Sequence, residues 1–598
     1  MAGDTFSSEI GRTIWESRYR QTGERDLAAS HARVARALAA VEAVPDEWEP
    51  RFAGILHGFR FLPGGRILAG AGSDRQVTLF NCFVMGTIED SLDGIFDSLK
   101  EGALTMQQGG GVGYDFSTLR PAGTPARHSG TIASGPVSFM RIWDAACATI
   151  LSTGARRGAM MATLRVDHPD IETFIEAKRQ PGELIRFNLS VLVDDAFMAA
   201  VDADDDWPLV FPAAKLDGNA GEPVERHWPG FDSPVSCRVL RRVPARRLWE
   251  RLMRATYDHA EPGVLFVDRI NQSNNLGYRE RITATNPCGE IPLPPYGACD
   301  LGSINLAAFV RHPFEREAAI DLAAITETAT VAVRMLDNVI DVSRFPLTAQ
   351  AEQARGSRRV GLGITGLADA LILLGQHYDS KAARETAATV MRTITHAAYR
   401  ASVGLAREKG EFPFLDRAPY LDAPFVRSLP ADIRDGIARH GIRNSHLTAI
   451  APTGTISLLA DNVSSGIEPV FRFRVARRIL DAQGAPRERE MADRAWALWQ
   501  ERHPGRDLPP AFVEAEDLAP EAHLAMQAAL QPFVDSAISK TINVPEDLPF
   551  DRFEGIYRRA FGLGLKGCTT YRPNPVTGAV LQGVETATPC CGIDREAD

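Results

Sequence analysis

An α/β fold with parallel strands is predicted for residues 60–573, where short apolar runs bounded by turn residues alternate with long amphipathic stretches. Residues 317–342 and 381–408 carry the helical half of that reading, being rich in Ala and poor in helix breakers. The runs Leu447–Ala451 and Ser539–Val544 carry the strand half, since both are short and bounded by turn residues. Alternation by itself does not specify a barrel.

Ahead of this region, residues 7–58 read as helices, because Ile10, Ile14 and Trp15, and later Val34, Leu38, Ala39 and Val41, recur at helical spacing. Pro, Gly and charged residues concentrate at 217–236 and 484–511, which are expected to be surface insertions. The final stretch lacks apolar periodicity and runs through Pro589-Cys590-Cys591-Gly592, so a mobile tail is expected. The predicted organisation is a short helical region over 1–58, an α/β region over 59–573 and a tail over 574–598. No repeat of solenoid period is apparent.

At 598 residues and 44% apolar composition the chain can bury a large core. A net charge of -10 argues against a nucleic-acid coat or a polybasic membrane surface. No run of 18 apolar residues and no basic segment leading into an apolar one is present, so neither a membrane span nor a signal peptide is predicted and a cytoplasmic protein is expected. The eight cysteines, at 82, 147, 237, 288, 299, 568, 590 and 591, are too scattered for a disulfide scaffold. In a reducing compartment they are free or catalytic thiols, and no set of side chains suggests a metal site.

The most informative segment is Asn286-Pro287-Cys288-Gly289-Glu290, followed eleven residues after the cysteine by Cys299. If the segment is extended, strand alternation puts Asn286, Cys288 and Glu290 on one face, where a single ligand meets all three. A carboxylate beside a thiol raises the thiol's pKa, whereas nucleophilic cysteines sit near cations or helix N-termini. That disfavours a thiolate nucleophile and leaves hydrogen-atom chemistry by a neutral thiol, with Glu290 as a general base. Read alone, the same spacing also fits a buried structural cysteine beside a surface glutamate.

Asn286–Leu293 together with Cys299–Leu306 resembles the finger loop of ribonucleotide reductases. Five further segments resemble the same family in the same order: Phe61–Arg66, Asn81–Phe83, Ala155–Met161, Pro452–Ser457 and Gly564–Arg572. The resemblance implies a ten-stranded α/β barrel with the finger loop through its middle. It also implies a ribonucleotide substrate reduced to the 2'-deoxyribonucleotide, with a thiyl radical on Cys288, Glu290 as the base for the 3'-hydroxyl, Asn286 on the sugar hydroxyl, and Cys82 with Cys299 as the redox pair. The turn Thr453, Gly454, Thr455, Ile456 and Ser457 is implied to hold the substrate phosphates, which suits the exposed amides of a helix start. Asp90 and Arg120 match positions that bind an allosteric deoxynucleotide at a homodimer interface. Between them Gln108–Gly113 is expected to form a tight turn, and residues 178–186 resemble the loop that carries the effector signal. The family's ATP-binding cone has no room ahead of Phe61, so no overall-activity site is expected.

Reductase tails shuttle electrons from a thioredoxin- or glutaredoxin-like protein through two spaced cysteines. Cys590 and Cys591 are adjacent, and a disulfide between neighbours is strained, so each thiol would act singly or across a dimer. Cys147, Cys237 and Cys568 read as structural. The C-terminal segment Gly567–Arg572 has no Tyr-Tyr pair of the class I kind, and no glycyl-radical motif of class III is present. What remains resembles class II, which uses adenosylcobalamin; no Asp-x-His-x-x-Gly sequence is present for a His-ligated form. The competing readings are a class I-like large subunit that needs a radical-generating partner, and a nucleotide sensor without turnover.

Overall fold

The computed structural model describes residues 6–573 apart from 126–131, 150, 153–155, 158, 217–220 and 481–485. The tail with Cys590 and Cys591 lies outside the described residues.

The N-terminal region folds as α1 (Glu9–Ile14), α2 (Leu27–Ala39) and α3 (Pro45–Leu56). Ser8 caps α1 by accepting from the Gly11 amide and Asp26 caps α2 by accepting from Ala29, each satisfying a donor that the first helical turn leaves open. Val34, Leu38 and Phe52 are buried in the same core as the central sheet, and the Ser8 amide donates to Asp461 at 2.9 Å.

Ten strands make the central sheet: β1 (Phe61–Pro63), β2 (Cys82–Val84), β3 (Gly111–Asp115), β4 (Met160–Arg165), β5 (Phe187–Val193) and β6 (Gly263–Phe266), then, after a hairpin of β7 (Ala284–Thr285) and β8 (Pro292–Leu293), β9 (Ala298–Asn305), β10 (Val360–Thr365), β11 (Thr541–Asn543) and β12 (Gly567–Tyr571). Their order is β1-β9-β2-β3-β4-β5-β6-β12-β11, and β10 runs along the other edge of β9. The run from β2 to β6 is parallel throughout, as are β9–β10 and β11–β12. The pairings β1–β9, β2–β9 and β6–β12 are antiparallel, so the sheet is mixed where a parallel one was expected.

The run Leu447–Ala451 does not form a regular strand. It makes single parallel bridges, Thr448 to Leu362 and Ile450 to Ile538, because the Asp535 carboxylate takes the amides of Leu447 and Thr448 at 2.7 and 2.9 Å. The run Ser539–Val544 contributes only the three residues of β11.

Among the helices, α4 (Leu92–Gln107) follows β2, α5 (Leu322–Val342) and α6 (Lys381–Lys409) pack against one another, and α7 (Gly454–Leu459) follows the Thr453 turn. The α6 span matches its periodicity, whereas α5 begins at 322 and not 317: Ala319–Ile320 pairs with Val310–Arg311, and Asp321 caps the helix by accepting from Ala324. The two stretches expected as surface insertions carry regular strands among their described residues. Pro223–Arg226 joins a three-stranded sheet with Asp206–Pro212 and Val235–Pro244, where Val224 packs against a core of Phe211, Trp228 and Cys237. Pro486–Ala492 pairs with Arg474–Leu480 and leads into α8 (Arg494–Arg502).

Candidate active site

The hairpin of β7 and β8 is held in register by Ala284 opposite Leu293 and Thr285 opposite Pro292. It crosses β3 at close range. A Cβ on Gly113 would stand 1.9 Å from the Thr285 carbonyl, and one on Gly111 would stand 3.3 Å from the Pro287 ring. The expected Gly turn is present at Gln108 and Gly109, where Gly109 has a φ of 100°, and it runs straight into β3, where Gly111 and Gly113 make room for the hairpin.

At the tip, residues 286–290 form a turn and not the extended segment expected from the alternating spacing. The Gly289 amide donates to the Asn286 carbonyl at 3.1 Å, and Gly289 has a φ of 84°, a region that glycine enters without steric cost. The turn achieves part of what alternation predicted. It folds Asn286 back on Glu290, so that Nδ2 donates to Oε1 at 2.8 Å and to the Cys82 sulfur at 3.2 Å, while the Asn286 Oδ1 accepts from the Ile291 amide at 3.0 Å. Cys288 differs from the others in exposure. It is half-buried and lines a cavity of about 610 Å³, whereas Asn286, Glu290, Cys82 and Cys299 are buried and outside that lining.

Cys82 of β2 and Cys299 of β9 are directly opposite one another in antiparallel register. The six described cysteines are all thiols, with no disulfide among them. Burial pushes both the Cys82 and Cys299 thiols well up; the charge of Glu290 adds to the effect at Cys82 and that of Asp300 at Cys299. Both are held as neutral thiols. Glu290 is pushed up to about 7 by burial, against the opposing hydrogen bond from Asn286. Its Oε1 also accepts from the Cys82 thiol at 3.8 Å, and its Oε2 is buried without a hydrogen-bond partner among the described residues. A carboxyl near neutrality with one uncommitted oxygen is suited to exchanging a proton.

The turn Thr453–Ser457 reaches the same cavity through Gly454 and Ser457. Thr453 has a φ of 55° and its hydroxyl bonds to Thr365 and accepts from the Gly466 amide, so it braces the turn and does not cap α7. Thr455 and Ile456 are buried, and Ser457 Oγ donates to the Gly454 carbonyl at 3.0 Å. What the turn can offer an anion is its leading amides.

Sequence reading passed over three residues around the tip. Asn188 donates to the Pro287 carbonyl at 2.8 Å. Lys566 is buried, lines the cavity and donates to the carbonyls of Asp535 and Ser536, and burial lowers it to about 8. Beside them the Ala537 amide donates to the Glu290 carbonyl at 2.9 Å. The apolar frame of Lys566 between Leu565 and Gly567 was the one local sign of a buried cation. Cys568, expected to be structural, is buried and also lines the cavity.

A family model described as "Ribonucleotide reductase, barrel domain" matches residues 80–571. The chain belongs to the ribonucleotide reductase family. It is 40% identical to a vitamin B12-dependent ribonucleoside-diphosphate reductase of Mycobacterium tuberculosis (strain CDC 1551 / Oshkosh), over 92% of this chain and 76% of that protein. A protein of the same name from Thermoplasma acidophilum is 35% identical over 89% of this chain and 66% of its own length. A ribonucleoside-diphosphate reductase subunit alpha of Chlamydia muridarum is 29% identical over 75% of this chain and 46% of its own.

In this reductase Asp90 and Arg120 are partners of each other. The Arg120 amide and Nε donate to the two Asp90 carboxylate oxygens at 3.1 and 2.9 Å. Asp90 immediately precedes Ser91, the cap of α4, so the pair sits at the start of that helix. The 178–186 segment is a series of turns in which Gly182 has a φ of 92°. Among the described residues no group of His, Cys, Asp or Glu side chains could hold a metal ion, and no helix is long and apolar enough to cross a membrane.

Proposed function

We propose that this reductase converts ribonucleotides, as diphosphates, to 2'-deoxyribonucleotides by a cysteine radical mechanism dependent on adenosylcobalamin. The observation that carries the reading is the division of the five candidate residues: Cys288 alone lines the cavity, while the paired thiols, the carboxyl and the carboxamide are buried together. The names of the Mycobacterium and Thermoplasma relatives support the cofactor.

The cavity opens onto Cys288, and among the described residues no histidine lines it, which accords with a cobalamin that takes no histidine ligand from the protein. Val264, Leu265, Ile538, Asn543, Thr569 and Tyr571 would hold it. When bound, adenosylcobalamin supplies the radical that removes hydrogen from Cys288. The Cys288 thiyl takes the ribose 3'-hydrogen. Glu290 accepts the 3'-hydroxyl proton on Oε2, the oxygen without a hydrogen-bond partner among the described residues, and Asn286 holds the sugar hydroxyl and polarises the developing carbonyl. Cys82 and Cys299 become a disulfide as the 2'-hydroxyl leaves as water, and burial as neutral thiols keeps their hydrogens available. The leading amides of the Thr453–Ser457 turn hold the phosphates.

The finer architecture belongs to the same proposal. The bridges through Thr448 and Ile450 lead from β10 towards β11, which supports a closed ten-stranded barrel with the hairpin as its finger loop. A homodimer is supported by the exposed Leu92 and Phe96, 64% and 50% accessible on α4, with a deoxynucleotide effector at Asp90 and Arg120. Tail cysteines 590 and 591 would pass electrons from a thioredoxin- or glutaredoxin-like protein in the cytoplasm. The test is an anaerobic assay of purified protein with and without adenosylcobalamin. Cofactor-dependent deoxynucleotide formation by this chain alone supports the reading; activity that requires a second subunit overturns it in favour of a class I-like enzyme, and effector binding without turnover in favour of a sensor.

A further inference from the structure

Tyr296 stands in the turn between β8 and β9 with a φ of 59°. Its hydroxyl donates to Glu101 of α4, 3.1 Å from Oε2. Its ring lies against Gly86, two residues beyond β2: a Cβ on Gly86 would meet Tyr296 Cζ at 2.3 Å. The next residue, Gly297, accepts from the Val84 amide at 2.9 Å, and two residues further Cys299 faces Cys82. One side chain therefore touches α4, the end of the strand that carries Cys82 and the approach to the strand that carries Cys299. A non-glycine residue in the left-handed region is strained and persists only where its surroundings over-determine it; the Glu101 bond and the Gly86 seat do so here. At the N-terminal end of α4, Ser91 caps the helix and Asp90 holds Arg120.

We infer that Tyr296 is a positioning residue that couples α4 to the Cys82–Cys299 pair, so that displacement of α4 alters how readily the two thiols close to a disulfide. The inference rests on the effector site proposed at Asp90 and Arg120 for what displaces α4. The step it governs is balanced: two thiols give up two hydrogens and form one S–S bond, and the ribonucleotide exchanges its 2'-hydroxyl for hydrogen with release of one water. Coupling is reciprocal, so a nucleotide that favours one geometry of the pair binds more tightly to that redox state.

The test equilibrates the full chain against dithiothreitol buffers, with and without a deoxynucleoside triphosphate, and reads the Cys82–Cys299 linkage by mass spectrometry. In the wild type a saturating deoxynucleotide is expected to shift the thiol–disulfide equilibrium constant about fivefold. Tyr296→Phe keeps the ring and loses the donor; Gly86→Ala displaces the ring. Both are expected to cut the shift to under about twofold, and Tyr296→Phe to keep ribonucleotide reduction without effector near the wild-type rate. A wild-type-sized shift in either variant overturns the coupling, as does a wild type that turns over and binds the deoxynucleotide without any shift. A wild type that reduces no ribonucleotide overturns the proposed function instead, and one that turns over but binds no deoxynucleotide overturns the effector site.

Discussion

The carboxamide of Asn286 donates to the carboxylate of Glu290 at 2.8 Å across a turn, and the same nitrogen reaches the Cys82 sulfur at 3.2 Å. Asn286 thus orients the carboxyl and one of the paired thiols together, and in the proposed mechanism a substrate hydroxyl that binds Asn286 would enter a network already aimed at both.

Replacing Glu290 with Gln keeps the size and the Asn286 contact while removing the base, and turnover is expected to fall by ~10²- to 10⁴-fold. In the wild type, kcat should rise with pH through an apparent pKa near 7, the value to which burial lifts Glu290. The sign for stability is opposite. A folded-state pKa of about 7 against the ordinary glutamate value of 4.5 means that the folded protein binds this proton more tightly, so the wild type should lose stability relative to the Gln variant as the pH rises through that window. Chemical denaturation of both proteins at pH 5 and pH 8 checks it; a stability difference that does not change with pH would mean that Glu290 is not raised.

Cys288→Ser should abolish turnover and leave nucleotide binding near the wild-type level, because a hydroxyl O–H bond is too strong for the same hydrogen exchange. Equilibrium dialysis and product assay together check this. Deoxynucleotide formation by the variant would remove the thiyl assignment.

Asp90→Ala and Arg120→Ala should each blunt the change in substrate preference caused by deoxynucleotides while basal reduction persists. Because the two side chains bind each other with limited exposure, each single change should also cost about 1–3 kcal/mol of stability, and the double change little more than either alone. Additive losses in the thermodynamic cycle would mean that the pair does not act as a unit.

A chain ending before Thr588 lacks Cys590 and Cys591 but keeps Cys82, Cys288 and Cys299. It is expected to complete about one turnover with thioredoxin and then stall, since the buried disulfide is re-reduced only by a thiolate that can reach it. Dithiothreitol, small enough to enter, should restore cycling. Sustained thioredoxin-driven turnover would show that these thiols are incidental.

The sequence by itself determined the chemical inventory and the local elements. The α6 span, the helices at the N-terminus and the α/β alternation follow from periodicity over neighbouring residues, and the set Cys82, Asn286, Cys288, Glu290 and Cys299 follows from motif order. Tertiary structure decided how these parts meet. Alternation placed Asn286, Cys288 and Glu290 on one face, but the positive φ of Gly289 turned the chain, so that Asn286 and Glu290 join Cys82 inside while Cys288 lines the cavity. The partners of Cys82, the hold of Asp535 on the amides of Leu447 and Thr448, and the seat of Tyr296 on Gly86 all join residues far apart in the chain. Local periodicity carries no information about such pairings: the register of a strand is set by which distant surface it buries, and a buried polar group settles wherever the packed interior supplies its hydrogen-bond partner.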